Sequence, residues 1–295
     1  MLVLMAAVGS GCTFNIGGLP GGSTNGGVSP VTAPDGIDPS NPAIERQTVA
    51  IDFAGVTTLR IDVTTGRVAL RVEDGATPQL KLTKTVLLKN QSREQLAKIL
   101  EGATLTAARS FVDSSRLEIS ADLARGINST DVAFDLQIVL PTSVPTQIIL
   151  DNGPAEVKGL KANVEIRTDN GAITLNDIVG NVVAETSKRT IEITNVAGNL
   201  RAETSDADIV LKIAPPDGGQ VFVETTNGGI DLALAPTTKA AINLDATDGT
   251  VSADLTTFNV SNLTTAPDLL RCTLNGGGGQ IEARTSGGDI QLVGL

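Results

Sequence analysis

From Asn163 onward the chain repeats itself every 18 to 21 residues, and each copy carries the two-residue alternation of a β-strand. Val164, Ile166 and Thr168 precede Asp169-Asn170-Gly171, and Ile173 and Leu175 follow. The next copies place Val182, Ala184, Thr186, Ile191 and Ile193, then Leu200, Ala202, Thr204, Ile209 and Leu211, then Val221, Val223, Thr225, Ile230 and Leu232, in the same order. A unit this short puts about four apolar side chains on one side of two strands. Their burial cannot offset the conformational entropy of ordering the whole unit, so neighbouring units must supply the rest of the contacts.

The pattern therefore predicts an all-β, parallel β-solenoid: a single-domain, β-helix-like stack of 18–21-residue coils with like residues aligned. Asn170-Gly171 reads as a tight turn built from residue types that accept positive φ. Gly180, Gly198 and Gly219 each close a coil just before the next begins. Toward the end, Ile242, Leu244, Ala246, Asp248-Gly249, Val251 and Ala253 keep the register. Residues 256–268 read as one degenerate coil or an excursion. Ile281, Ala283, Thr285, Gly287-Gly288, Ile290 and Leu292 form the last copy, which is expected to be the terminal coil.

Upstream the pattern is less regular. Residues 48–145 read as an irregular N-terminal β portion and 146–295 as the regular coils, with Pro141 and Pro145 at the boundary. Leu59, Ile61 and Val63 alternate, Gly66 turns, and Val68, Leu70 and Val72 alternate again. Further strands are expected over 80–87, 104–111, 116–121 and 132–140. Residues 92–101 break the β pattern. Ser92 and Gln95 fit a capping box, Leu96, Ile99 and Leu100 make a helical stripe, and Gly102 stops it. This short helix is expected to cover one end or edge of the stack, where backbone and apolar side chains would otherwise be open.

The chain begins with eight apolar residues, then Gly9-Ser10-Gly11-Cys12. Residues 1–11 read as a residual signal peptide and Cys12 as a lipidation site, although no Lys or Arg leads the run and Gly9 stands where such a motif prefers Leu. Residues 12–47 are crowded with Gly, Pro and Ser and read as a flexible tether. The expected membrane attachment is thus a lipid and not a spanning helix. Cys272 alternates with Leu270 and Leu274 and reads as a small buried side chain.

Composition excludes several functions. His, Trp and Tyr are absent, which removes histidine-based catalysis and histidine metal ligation and weakens any case for stacking on sugars or bases. The six Phe are expected in the core. A net charge of −11 argues against a nucleic-acid partner.

Two chemistries were weighed against plain turn and surface roles. Asp151, Asp169, Asp206, Asp208, Asp231, Asp248 and Asp289 recur near turns and could offer oxygens to calcium. Asp also stabilises turns through its own side chain, and Lys188 and Arg189 interrupt any continuous cation ladder, so the turn role is preferred. Asp206 and Asp208, with Lys188 or Arg189 one coil away, could serve a β-helical polysaccharide lyase or hydrolase. Exposed carboxylates on a solenoid are more often solvated surface. Asn128-Ser129-Thr130 fits a glycosylation pattern, and Gly276 to Gly279 reads as a flexible turn and not a phosphate loop. No catalytic, cofactor or metal residue is assigned.

The Thr-x-x-Gly-x-Ile coils at Thr168–Ile173, Thr225–Ile230 and Thr285–Ile290, the run Leu274-Asn275-Gly276-Gly277-Gly278 before the final coil, and the opening Leu59 to Val72 resemble the bacterial DUF4097 "putative adhesin" family. That resemblance implies an envelope-associated β-solenoid with no catalytic residues. It fits a lipid-anchored protein in the bacterial cell envelope, facing the periplasm or the exterior, with an envelope protein or polysaccharide as partner. The lipid reading has a direct test. Metabolic labelling with a fatty acid should mark the wild-type protein and not Cys12→Ala; label that persists in the variant contradicts it.

Overall fold

The structure, a computed structural model, describes residues 36–38, 40–141 and 143–295. Cys12, the segment read as a signal peptide and most of the segment read as a tether lie outside the described residues. Two 12-stranded sheets face each other across one hydrophobic core. Each coil gives one strand to each sheet. In the coil beginning at Val164, the strand Val164–Thr168 lies in one sheet, called B here, and Ile173–Val179 in the other, called A.

The predicted stacking is present residue by residue. Val164 pairs with Val182, Val182 with Leu200 and Leu200 with Val221, all in parallel register. On the opposite sheet Ile173, Ile191, Ile209 and Ile230 form the matching file. Every one of these side chains is buried. Alternation along each strand delivers them to one side, and parallel pairing superimposes them from coil to coil. A fifth inward position, at Ile178 and Val196, was not legible as part of the repeat. Asp177 and Asn195 adopt left-handed φ of 57° and 56°, which breaks the alternation and turns the following residue inward.

The corners are held by polar ladders. The Thr186 hydroxyl donates to the Gly171 carbonyl of the coil below at 2.9 Å, Thr225 to Ala207 at 2.9 Å and Thr285 to Gly228 at 2.8 Å. At the other corner the backbone N–H of Asn181 donates to Asn163 Oδ1 at 2.9 Å, and that of Asn199 to Asn181 Oδ1 at 3.1 Å. The turn glycine has a different cause from the one expected. Gly171 is not among the positive-φ residues. A Cβ there would sit 1.8 Å from the Gly153 carbonyl oxygen, so the constraint is the close approach of stacked turns.

The order of coils departs from chain order at both ends. The first coil in sequence, strands Thr58–Thr65 and Val68–Val72, lies between the coil of Arg116–Leu123 and Val132–Leu140 and the coil starting at Thr146. The last copy, Gly279–Thr285 and Ile290–Gly294, lies between the coil starting at Gln220 and the coil starting at Ala240. The sequence made this copy terminal; in space it is clamped on both sides. Of the two readings of residues 256–268, a degenerate coil or an excursion, the structure shows the excursion: Val260–Ala266 and the following Leu269–Leu274 make an antiparallel extension of sheet B.

At the N-terminal end the antiparallel strands Ile44–Ala50 and Gln79–Val86 extend sheet A, and Ala103–Arg109 extends sheet B. The first of these strands starts at Ile44, within the segment read as tether. The helix Arg93–Gly102 bridges the two extensions, and both halves of its Ser92–Gln95 capping box are formed. Its C-terminus runs straight into a strand, so no left-handed cap can satisfy its last carbonyls. Lys84 does so instead. Its ammonium donates to the carbonyls of Leu100 and Ala103 at 2.8 and 3.0 Å and pairs with Glu45 at 2.7 Å, with its side chain only 2% exposed.

The phenylalanines correct the sequence reading. Phe134 and Phe258 are buried, but Phe111 at a hairpin tip is 90% exposed and Phe222 points outward from sheet B. Cys272 is buried and unpaired opposite Ile242, and burial pushes its thiol pKa up.

Two predictions follow from the facing and from the end cap. Ile191→Asp puts a carboxylate into the dry interior and should cost about 4 kcal/mol or more, whereas Thr190→Asp on the exposed corner should stay within about 0.5 kcal/mol; denaturant unfolding of both variants checks this. Lys84→Met should cost about 3–5 kcal/mol by leaving Glu45 and two carbonyls buried without the ammonium, and adding Glu45→Leu should recover part of the loss. Equal stability of Lys84→Met and wild type would contradict the role given to this pair.

Candidate functional site

The outward face of sheet B is built from the other half of the alternation. The residue before each inward threonine forms one row across adjacent coils: Arg167, Glu185, Glu203, Glu224 and Arg284. Two positions earlier a second row runs Glu165, Val183, Arg201, Phe222 and Glu282. Neighbouring strands sit about 4.8 Å apart, so three glutamates in successive coils bring three carboxylates into one file.

Arginines partly compensate that file. Arg167 bridges Glu165 at 2.8 Å and Glu185 at 3.5 Å, and Arg201 pairs with Glu203. Glu224 has no arginine partner among the described residues. Arg201 also lies over the Phe222 ring, 5.0 Å from its centroid. An open groove of about 560 Å³ follows the glutamate row, and the hydroxyls of Ser187, Ser205 and Thr226 form its far wall. Five carboxylates and two arginines line it, so its floor is acidic. Two further depressions lie on the same sheet, one past Phe222 and one toward Arg60 and Arg116.

Three of the acidic residues singled out in the sequence, Asp206, Asp208 and Asp289, serve the turns through their side chains. Asp206 accepts from Asn227 Nδ2 of the next coil at 2.7 Å, and Asp208 from the Gly229 backbone N–H at 2.8 Å. Asp289 accepts from the backbone N–H and the hydroxyl of Thr250 at 2.8 and 2.9 Å, and these bonds, the backbone one foremost, lower its pKa. Asp151 and Asp169 line the groove, while Asp231 lies on the outward face of sheet A. Asn128 folds back onto Asp131 in a local turn, with 2.8 Å from its backbone N–H. Gly276, Gly277 and Gly278 have positive φ, as a flexible turn requires.

The structure does not bring the Asp206–Asp208 pair together as a catalytic site, because each carboxylate is committed to holding the next coil. The alternation makes rows of outward Thr, Glu, Arg and Lys a general binding face without singling out this glutamate row. Its signal was present as the recurring Glu-Thr dipeptide at 185–186, 203–204 and 224–225, whose threonine fixes the glutamate on the outer face.

A family profile described as Toastrack DUF4097 matches residues 127–293. None of the curated proteins matches the chain. Among solved structures it resembles a putative cell adhesion protein from Clostridium sporogenes, at 9% identity over 85% of this chain and 100% of that one, with a TM-score of 0.32. A putative adhesin from Bacteroides fragilis is 10% identical over 84% of this chain and 96% of that one, with a TM-score of 0.36. A putative lipid binding protein from Parabacteroides distasonis is 12% identical over 85% of this chain and 96% of that one, with a TM-score of 0.30. These structural likenesses are loose; the family match is the stronger finding.

Asp289 gives the turn chemistry a pH test. Its folded pKa lies below the ordinary carboxylate value, so its contribution is present above that value and is lost as pH falls through the folded pKa. Asp289→Ala should lower the melting temperature at neutral pH, and the gap to wild type should close as pH falls below the ordinary aspartate value of about 3.9 and through the folded pKa. A gap that stays constant with pH would contradict the assignment.

Proposed function

The chain belongs to the Toastrack DUF4097 family, and on that premise we propose that it is a non-catalytic binding module of the bacterial cell envelope, adhesin-like or scaffolding, tethered through lipid on Cys12. The outer face of sheet B is its docking surface for another envelope protein. The observation that carries this reading is the continuous acidic groove: three glutamates in register, bounded at each end of their row by an arginine, with one outward aromatic beside them.

Several features support binding over turnover. The groove is wide and open to solvent, as suits a docking surface. The carboxylates of Glu185 and Glu203 are paired with arginines, an arrangement suited to electrostatic recognition. An aromatic stacked under an arginine is a common anchor at protein interfaces. An acidic groove on a protein of net charge −11 selects a basic partner surface.

The test is a quantitative pull-down of native envelope proteins on full-length protein. Glu185→Lys/Glu203→Lys/Glu224→Lys should lose retention of a specific envelope protein by about tenfold or more while keeping its melting temperature. Unchanged retention by the triple variant would place the docking surface elsewhere.

A further inference from the structure

One end of the outward face of sheet A carries the opposite charge. Near the N-terminal end of the stack a groove of about 280 Å³ crosses four strands: Gln79–Val86, Val132–Leu140, Val68–Val72 and Ala155–Lys158. Four cationic side chains line it, Arg67, Arg71, Lys81 and Lys158, against one carboxylate, Glu156. We propose that this groove binds a carboxylate-bearing polysaccharide of the cell envelope.

Register makes the case. Arg71 and Lys158 are direct neighbours on paired parallel strands. Like charges at such positions repel, as they do along the glutamate row of sheet B, where Arg167 offsets Glu185. Arg67 is bridged to Glu156 at 2.5 Å and Arg71 to Glu73 at 2.9 Å, but Lys81 and Lys158 have no acidic partner among the described residues. A cationic groove retained on a strongly acidic chain is matched by an anion and by no other surface of the protein nearby.

The chemistry narrows the anion. The groove lies in mid-sheet, where the ladders already use the backbone amides, so no nest of free N–H groups is available to cradle a phosphate. The donors are separate side chains: two guanidinium forks, two ammonium groups and the amides of Gln79 and Gln137. Lys81 and Lys158 stand on strands three intervals apart, about 14 Å. Spaced point charges with amides between them suit a chain bearing one carboxylate per unit and hydroxyls in between. No aromatic ring lines the groove, so a neutral sugar would lack a stacking surface and affinity must come from charge. The recess also fits a chain better than a planar membrane.

Affinity electrophoresis of the full chain in gels containing polygalacturonate tests this. Wild-type protein should be retarded at low salt and released as salt rises. Lys81→Glu/Lys158→Glu should weaken retardation about tenfold or more with an unchanged melting temperature, while the glutamate-row triple variant should bind as wild type does. The sheet B reading can therefore fail without touching this one. Equal mobility of wild type and the lysine variant would overturn the proposal. So would equal retardation by a neutral polymer, stronger capture by a phosphate polymer or by anionic lipid vesicles, or self-association of the chain that the lysine variant abolishes.

Discussion

Every other feature of this protein depends on the vertical contact between like aliphatic side chains in successive coils. A single coil buries too little to order itself, so stability arises only where coil meets coil. That contact requires the strands to pair in parallel and in register, which in turn requires the corners to superimpose. The hydroxyls of Thr186, Thr225 and Thr285 and the amide oxygens of Asn163 and Asn181 bridge their corners to neighbouring coils, and glycine admits the neighbouring carbonyl at several turns. The interior and the corners thus enforce the same spacing, and the outward residues inherit it.

That inheritance is what creates surfaces. Once Thr186, Thr204 and Thr225 point inward, Glu185, Glu203 and Glu224 must point outward in a row, and any charge repeated in the sequence becomes a stripe in space. The two sheets carry different stripes. Sheet B presents carboxylates broken by arginines, and sheet A presents a cationic groove near one end.

Much of this was legible from residues alone. Period-two alternation gave the strands of the regular coils and their inward files, and the Ser92–Gln95 pair gave the helix start. What was not legible depends on contacts remote in sequence. Nothing in Gly279–Thr285 says that it inserts beside Gln220–Thr225 and not beyond Ala240–Ala246, since all three strands carry the same inward pattern. Insertion leaves the chain's last strands paired on both sides and gives the end of the stack to an antiparallel hairpin. The Lys84–Glu45 pair was hidden for a related reason. Lys84 sits at an inward position of its strand, but only the docked helix supplies the carbonyls that make burying it tolerable.

Coil order is therefore the point at which the account is most exposed. Phe222 lies directly opposite Glu282, and Glu282 opposite Asn243, so Phe222 and Asn243 are two strand spacings apart, about 9.6 Å. Paired cysteines should report this by disulfide formation under mild oxidation, read as a mobility shift after proteolysis. Phe222→Cys with Glu282→Cys should cross-link efficiently and Phe222→Cys with Asn243→Cys should not, because the second pair exceeds disulfide reach. Cross-linking of Phe222→Cys to Asn243→Cys in place of Glu282→Cys would mean that the coils stack in chain order and that the clamped C-terminal coil does not exist.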